Sequence, residues 1–183
     1  AEGVAFSDSV VSYALCCPSR ATFLTGQYAH NHRVLGNIAP LGGYEALRHA
    51  NTLPVWLQRA GYHTSFVGKY LNGYEELDPV PGSQSLLYHG FTLNENGLLV
   101  DYPKTPTVYL TDVLTNHARD AVAVGSSTGT PFFLLLSYFA PHSGRPLDPD
   151  DVQAPGVTLN PKPASRHRDV FAGEPFLPPP SFN

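Results

Sequence analysis

The sequence predicts an α/β fold built on a mostly parallel sheet, and three observations predict it. A short helical stretch ended by Gly61 leads directly into a β-branched and aromatic run at His63–Val67, which is half of an α/β unit. Tyr109–Val122 keeps helical spacing of apolar residues. Pro131–Phe139 is a continuous apolar run bounded by loops, the pattern of a strand buried on both faces of a parallel sheet. With 183 residues the chain is long enough for one domain with a sizeable core, and a single unit over 1–183 is expected.

Composition narrows the function. The formal net charge is -4, so no basic field marks a nucleic-acid or anionic-membrane partner. No apolar run approaches the roughly 20 residues of a membrane span, and no basic stretch followed by an apolar core opens the chain as in a signal peptide. The two cysteines are adjacent, a spacing that rarely permits a disulfide, so pairing says nothing about redox compartment.

In chain order, Val4-Ala5-Phe6 with Val10, Val11 and Tyr13 reads as a strand. Pro18–Thr25 reads as a helix, with the proline in its first turn and Gly26 just past its end. Cys16 then sits at the positive helix terminus, where free N–H groups favour anions, and Arg20 lies one turn on. His30, His32 and Arg33 follow in a loop that either is simply exposed or borders a site. Leu41–Tyr44 is a turn. Asn51 or Thr52 caps a helix carrying Pro54, Leu57 and Ala60. Residues 73–106 are rich in turn formers, with short pieces at Leu86–Tyr88 and Phe91–Leu93 and a hairpin signal at Asn94–Gly97. The 109–122 helix presents Leu110, Val113, Leu114, His117, Ala121 and Val124 on one stripe, which makes His117 a packing or surface residue rather than a ligand. A Ser/Gly/Thr loop covers 125–130. Beyond the last strand an irregular arm runs from about residue 141, and nine of the chain's 18 prolines fall between Ser143 and Asn183.

Two motifs carry chemistry. The first is Cys16-Cys17-Pro18-Ser19-Arg20 followed by Phe23, Leu24, Thr25 and Gly26. The second is Gly61-Tyr62-His63-Thr64, then Gly68-Lys69-Tyr70-Leu71-Asn72, which puts Lys69 at the carboxyl end of a strand, where open α/β folds place ligands. His142, in Ala140-Pro141-His142-Ser143, has the equivalent position after the apolar strand. Both motifs resemble the signatures of the type I sulfatase family, and Glu2-Gly3-Val4-Ala5-Phe6 is similar to a segment that precedes the family's catalytic cysteine. The Gly-Lys-Tyr-Leu-Asn variant is similar to the N-acetylglucosamine-6-sulfatase and arylsulfatase branch. Many members carry histidine two residues after the lysine, where this chain has Leu71. Lys162–His167 also resembles a segment of that branch and is assigned no chemistry.

The resemblance implies a three-layer αβα fold of the alkaline-phosphatase-like type, represented here by the middle of the catalytic domain. It implies a sulfuric ester hydrolase of aryl, sugar or polysaccharide sulfates, secreted, periplasmic or lysosomal. Cys16 would be oxidised by a formylglycine-generating enzyme to Cα-formylglycine, whose hydrated form attacks sulfur and later expels sulfate. Arg20, Lys69 and His142 would be catalytic, and Lys69, His142, Asn72, His30 and His32 would touch substrate. One Ca²⁺ would be bound, with modified Cys16 as a ligand and the other ligands outside these residues, because Asp150-Asp151 is out of order and not after a strand. These residues in isolation would therefore be inactive. Two other readings stand beside this one: a phosphate or phosphonate ester hydrolase of the same superfamily, and a non-catalytic chain with Cys16 unmodified. A thiol phosphatase is excluded by the Cys16-to-Arg20 spacing, shorter than the usual Cys-x5-Arg cradle.

Overall fold

The computed structural model describes residues 3–74, 88–143 and 161–175. The Leu86–Leu87 part of the expected first small strand, the Asp150-Asp151 pair and the final proline run lie outside the described residues.

Helix α1 spans Cys16–Thr25, and α2 is one turn at Ala29–His32. Helix α3 covers Leu53–Arg59, with Thr52 before it and Pro54 in its first turn. Strand β1 is His63–Gly68; β2, Phe91–Glu95, and β3, Leu98–Tyr102, form an antiparallel hairpin. Helix α4 runs Leu110–Ser127 and strand β4 is Phe132–Ser137. The hairpin turns on Asn96 and Gly97, both at positive φ (56° and 93°), as a two-residue primed turn requires.

The parallel sheet is the pair β1 and β4, in register from His63 opposite Phe132 to Gly68 opposite Ser137. Side chains alternate across it. Leu135 packs into the cluster formed by Cys17, Ala21, Leu24, Val34, Leu47 and Leu71, the α1 side. Val67, one place along from Leu135's partner Phe66, packs into the opposite cluster of Tyr88, Phe91, Tyr109, Leu110, Leu114, Phe139 and Ala164, the α4 side. The described chain is thus three layers, α1 over sheet over α4. Among the described residues no helix is long and apolar enough to cross a membrane.

Three expectations are corrected, and the described part of the irregular arm is placed. Residues 3–15 form no strand, and Val4, Phe6 and Val10 are more than four-fifths exposed. A strand needs a partner's N–H and C=O groups, and no described segment pairs with this one. Strand β4 is packed on both faces but only half-buried, because among the described residues β1 is its one sheet neighbour and its other edge is open. Helix α4 extends past Val122, through the expected loop, to Ser127. Ser126 and Ser127 bond back to the carbonyls of Val122 and Val124, and Gly125 packs directly under Phe132. Its buried face is Leu110, Leu114, Ala118 and Gly125, whereas Val124 is half exposed. Part of the arm is ordered against the body. Arg166 makes two hydrogen bonds, of 2.6 and 2.7 Å, to Asp112 on α4, and the Tyr109 hydroxyl donates to the Lys162 carbonyl. Ala164 is buried beside them, followed by a 3₁₀ turn at Ser165–His167.

Candidate active site

Leu15 is extended and provides no side-chain cap, so α1 begins with unsatisfied N–H groups at Cys16 and Cys17. Asn37, from the loop after α2, supplies the missing cap: its Oδ1 accepts from the Cys17 N–H at 2.9 Å. Gly26, left-handed at φ 66°, closes the helix by donating to the Thr22 carbonyl. The two cysteines therefore face different worlds. Cys17 has no exposed surface, whereas Cys16 is partly open. Consecutive helical residues are rotated by about 100°, so one thiol points into the core and its neighbour points away from it.

Lys69 leaves the carboxyl end of β1 and brings its Nζ to 3.9 Å from the Cys16 Sγ. Gly68 makes this exit possible. A Cβ there would lie 2.0 Å from the Ser137 carbonyl oxygen, and its φ is +108°. The close approach lets the Lys69 N–H donate to that same carbonyl at 2.8 Å. Arg20 clasps the two strand ends: its Nη1 donates to the Lys69 carbonyl at 2.7 Å and to the Ser137 hydroxyl. Burial lowers the pKa of the guanidinium, and Cys16 and Cys17 oppose that shift, which puts the cation within electrostatic reach of both thiols. Arg20 thus shapes the site by holding Lys69 and Ser137.

His142 follows β4 on a tight turn, its N–H donating to the Phe139 carbonyl at 3.0 Å. Its Nδ1 lies 2.8 Å from the Ser143 carbonyl, which can only accept, so Nδ1 carries the proton and Nε2 is left as the acceptor. The ring stacks on Phe139 at 4.9 Å, and the Tyr88 hydroxyl donates to the His142 carbonyl. Phe139 also carries the Lys69 ammonium 5.8 Å from its ring centroid. One buried phenyl ring therefore supports both residues expected to meet the substrate. Phe139, Ser137 and Asn37 were missed by sequence reasoning. Phe139 and Ser137 belong to an apolar run legible only as a strand, and Asn37 carries no motif at all.

Three residues expected to touch substrate make other contacts in this structure. The Asn72 side chain and backbone turn onto the Cys17 sulfur, with the Asn72 N–H donating to Sγ at 3.2 Å. His32 is buried, with Nδ1 accepting from the Val34 N–H and Nε2 against the Thr22 hydroxyl, each at 3.1 Å. It braces α2 against α1, and burial lowers its pKa. His30 is exposed and stacks on Tyr28 at 5.9 Å, on the outer side of the same turn. His117 packs as expected, its Nε2 3.0 Å from the Tyr102 hydroxyl and 3.4 Å from Glu95.

The described residues do not fit a Ca²⁺ cage. Such an ion takes six to eight oxygen ligands, and no group of three His, Cys, Asp or Glu side chains that could hold a metal occurs among them. The side chain that faces Cys16 is a lysine. What the arrangement offers is positive charge: an ammonium, a guanidinium behind it, and a helix N-terminus, gathered at the carboxyl ends of two parallel strands.

The described site is a half-open thiol at a helix start, faced by a lysine at the carboxyl end of a parallel strand. The comparisons narrow this. The Sulfatase family model matches residues 1–165, and the chain belongs to that family. It is 38% identical over 160 residues to an N-acetylglucosamine-6-sulfatase of Capra hircus, covering 77% of this chain and 28% of the relative. It is 31% identical over 188 residues to an arylsulfatase of Chlamydomonas reinhardtii, covering 93% and 29%. It is 30% identical over 158 residues to an extracellular sulfatase SULF-1 homolog of Drosophila melanogaster, covering 76% and 14%. The chain thus spans less than a third of the length of each of these relatives.

Proposed function

We propose that this chain contributes the nucleophile and its cationic surroundings to a sulfuric ester hydrolase acting on aryl or sugar sulfates, with Cys16 matured to Cα-formylglycine by a formylglycine-generating enzyme. One observation carries the reading: of two adjacent thiols, the one at the motif position is partly open and lies 3.9 Å from Lys69, while the other is sealed in the core.

The aldehyde, once formed and hydrated, would supply one hydroxyl to displace the ester alcohol from sulfur and a second whose deprotonation expels sulfate and restores the aldehyde. The remaining work falls to residues of this chain. The Lys69 ammonium takes a non-bridging sulfate oxygen beside residue 16 and stabilises the negative charge developing there. Arg20 fixes the Lys69 backbone through its carbonyl and adds positive potential from behind. His142, stacked on the same Phe139 ring, is the second group that meets the ester in this reading. Its neutral ring offers Nε2 as an acceptor, and its protonated ring donates from Nε2 to the leaving oxygen. The relatives named for N-acetylglucosamine-6-sulfate and aryl sulfate hydrolysis favour those two substrate types, and the extracellular relative favours an exported protein.

The test is mass spectrometry of the tryptic peptide ending at Arg20, taken from the complete gene product in its native host, alongside turnover of an aryl sulfate, N-acetylglucosamine 6-sulfate and the matching phosphate esters. Aldehyde at residue 16 with faster sulfate than phosphate hydrolysis supports the reading. Faster phosphate hydrolysis transfers it to the phosphoester branch of the superfamily. An intact thiol with no turnover overturns it.

A further inference from the structure

The buried thiol has more partners than the open one. The Cys17 sulfur accepts from the Asn72 N–H at 3.2 Å and has two acceptors for its own hydrogen, the Asn72 Oδ1 at 3.5 Å and the Asn37 carbonyl at 3.9 Å. Its backbone N–H is held by the Asn37 side chain. Asn72 lies three residues after Lys69 on the same turn, and Leu71 between them is buried against Cys17. Two consecutive residues of α1 therefore meet two residues of one turn: Cys16 with Lys69, and Cys17 with Asn72.

We propose that Cys17 is a positioning residue, a thiol latch that fastens the Lys69–Asn72 turn to the first turn of α1 and so sets the approach of Lys69 to residue 16. This rests on the reading that chemistry occurs at Cys16. Sulfur suits the role. It sits at zero exposure among Ala21, Val34, Leu47 and Leu71, where a thiol costs less to bury than a hydroxyl and still both accepts and donates. Burial, first among the influences on it, raises its pKa and keeps the donor proton in place. Alanine there would leave the Asn72 N–H without its sulfur acceptor in a buried pocket. Asn37 completes the latch from a third segment. The loop after α2, the helix start and the strand exit thus converge on one side chain.

Two measurements on the complete gene product test this. The first needs no turnover: protein made without maturation, so that Cys16 remains a thiol, is alkylated with iodoacetamide and both positions are read by tandem mass spectrometry. Cys17 should react at least about tenfold more slowly than Cys16. Asn72→Ala, which removes the Oδ1 acceptor and leaves the backbone N–H, should accelerate Cys17 by about tenfold and leave Cys16 within about twofold. Unchanged labelling of Cys17 in Asn72→Ala overturns the latch. The second uses matured enzyme with the fraction of aldehyde measured. Cys17→Ala and Asn72→Ala should each lower kcat/KM by about tenfold at equal aldehyde content. The double variant should be no worse than either single one. Cys17→Ser, which restores a donor and acceptor, should recover part of the loss. Wild-type kcat/KM in folded Cys17→Ala, or fully multiplicative losses in the double variant, overturns it. If the wild type hydrolyses no sulfate ester, the functional reading fails, and the alkylation result still decides the latch.

Discussion

Gly68→Ala tests the junction that brings Lys69 to the site. Two separate penalties act at this position. Its φ of +108° is a conformation that costs an L-residue roughly 1–3 kcal/mol. The added Cβ would stand 2.0 Å from the Ser137 oxygen and 2.7 Å from its carbon, so the strand ends must part by roughly 1 Å. Parting them breaks the 2.8 Å bond from the Lys69 N–H, worth about 1 kcal/mol net. Together these come to ~3 kcal/mol, and with a urea m-value of ~2 kcal/mol/M the midpoint should fall by about 1.5 M. Gly61→Ala is the control. Its φ is +88°, but nothing lies within 4 Å of the added carbon, so it carries strain without collision. Its midpoint should fall by about half as much. Equal shifts for the two variants would refute the argument from close approach. A Gly68→Ala midpoint within about 0.3 M of wild type would refute the whole of it.

Three further outcomes follow from the same geometry. Burial holds the His32 pKa below its ordinary 6.5, so the unfolded chain binds the proton more readily; stability is full above that value and falls as pH drops towards the folded pKa. His32→Gln should flatten this acid limb in urea titrations at stepped pH, and an unchanged slope would exclude His32 as its source. Asp112 is held below its ordinary 3.8 chiefly by its hydrogen bonds from Arg166, so its contribution is present above that value and is lost as pH falls through the folded pKa. Asp112→Asn should speed tryptic cutting at Arg166 and Arg168 at neutral pH, as high salt should in the wild type, since the pair is solvent-facing. Phe139→Leu should cost about 1–2 kcal/mol of stability. It should also lower sulfate ester turnover at equal aldehyde content, because both Lys69 and His142 lose the ring beneath them; full turnover would show that neither depends on it.

Much of the framework was legible because it rests on local rules. Pro18 and Gly26 bracketed α1 to within two residues, and Gly61 with the β-branched run after it located β1. The hairpin followed from Asn96-Gly97, whose positive φ values few residues tolerate. Lys69 and Cys16 were legible as site residues through their motifs, and the structure brings them together. What was not legible has a different cause. The first residues have the composition of a strand, but pairing is a property of the neighbour. Asn72 and His32 have polar side chains near the motifs, and sequence does not say whether such a group turns to solvent or satisfies a buried partner. Here both turn inward, Asn72 to the Cys17 sulfur and His32 to the Thr22 hydroxyl. Phe139 was invisible for the opposite reason: within a run of apolar residues nothing distinguishes the one beneath the site.

The Cys16-Cys17 pair reads in the sequence as a repetition, and the structure makes it a division of labour. Helical rotation separates the two side chains, so burying one obliges the other to face away from the core. The buried member can then be held by groups from two distant segments, Asn37 and Asn72, without any of them obstructing the open one. The same logic separates the cations. Arg20, reached one turn later on α1, spends its Nη1 on a carbonyl and a hydroxyl at the strand ends, while Lys69, whose carbonyl it holds, extends its ammonium towards Cys16. Two positive groups this close would repel if both faced the thiol. Anchoring one in the backbone relieves that repulsion and orients the other, which leaves one cation beside the reactive position and a fixed one behind it.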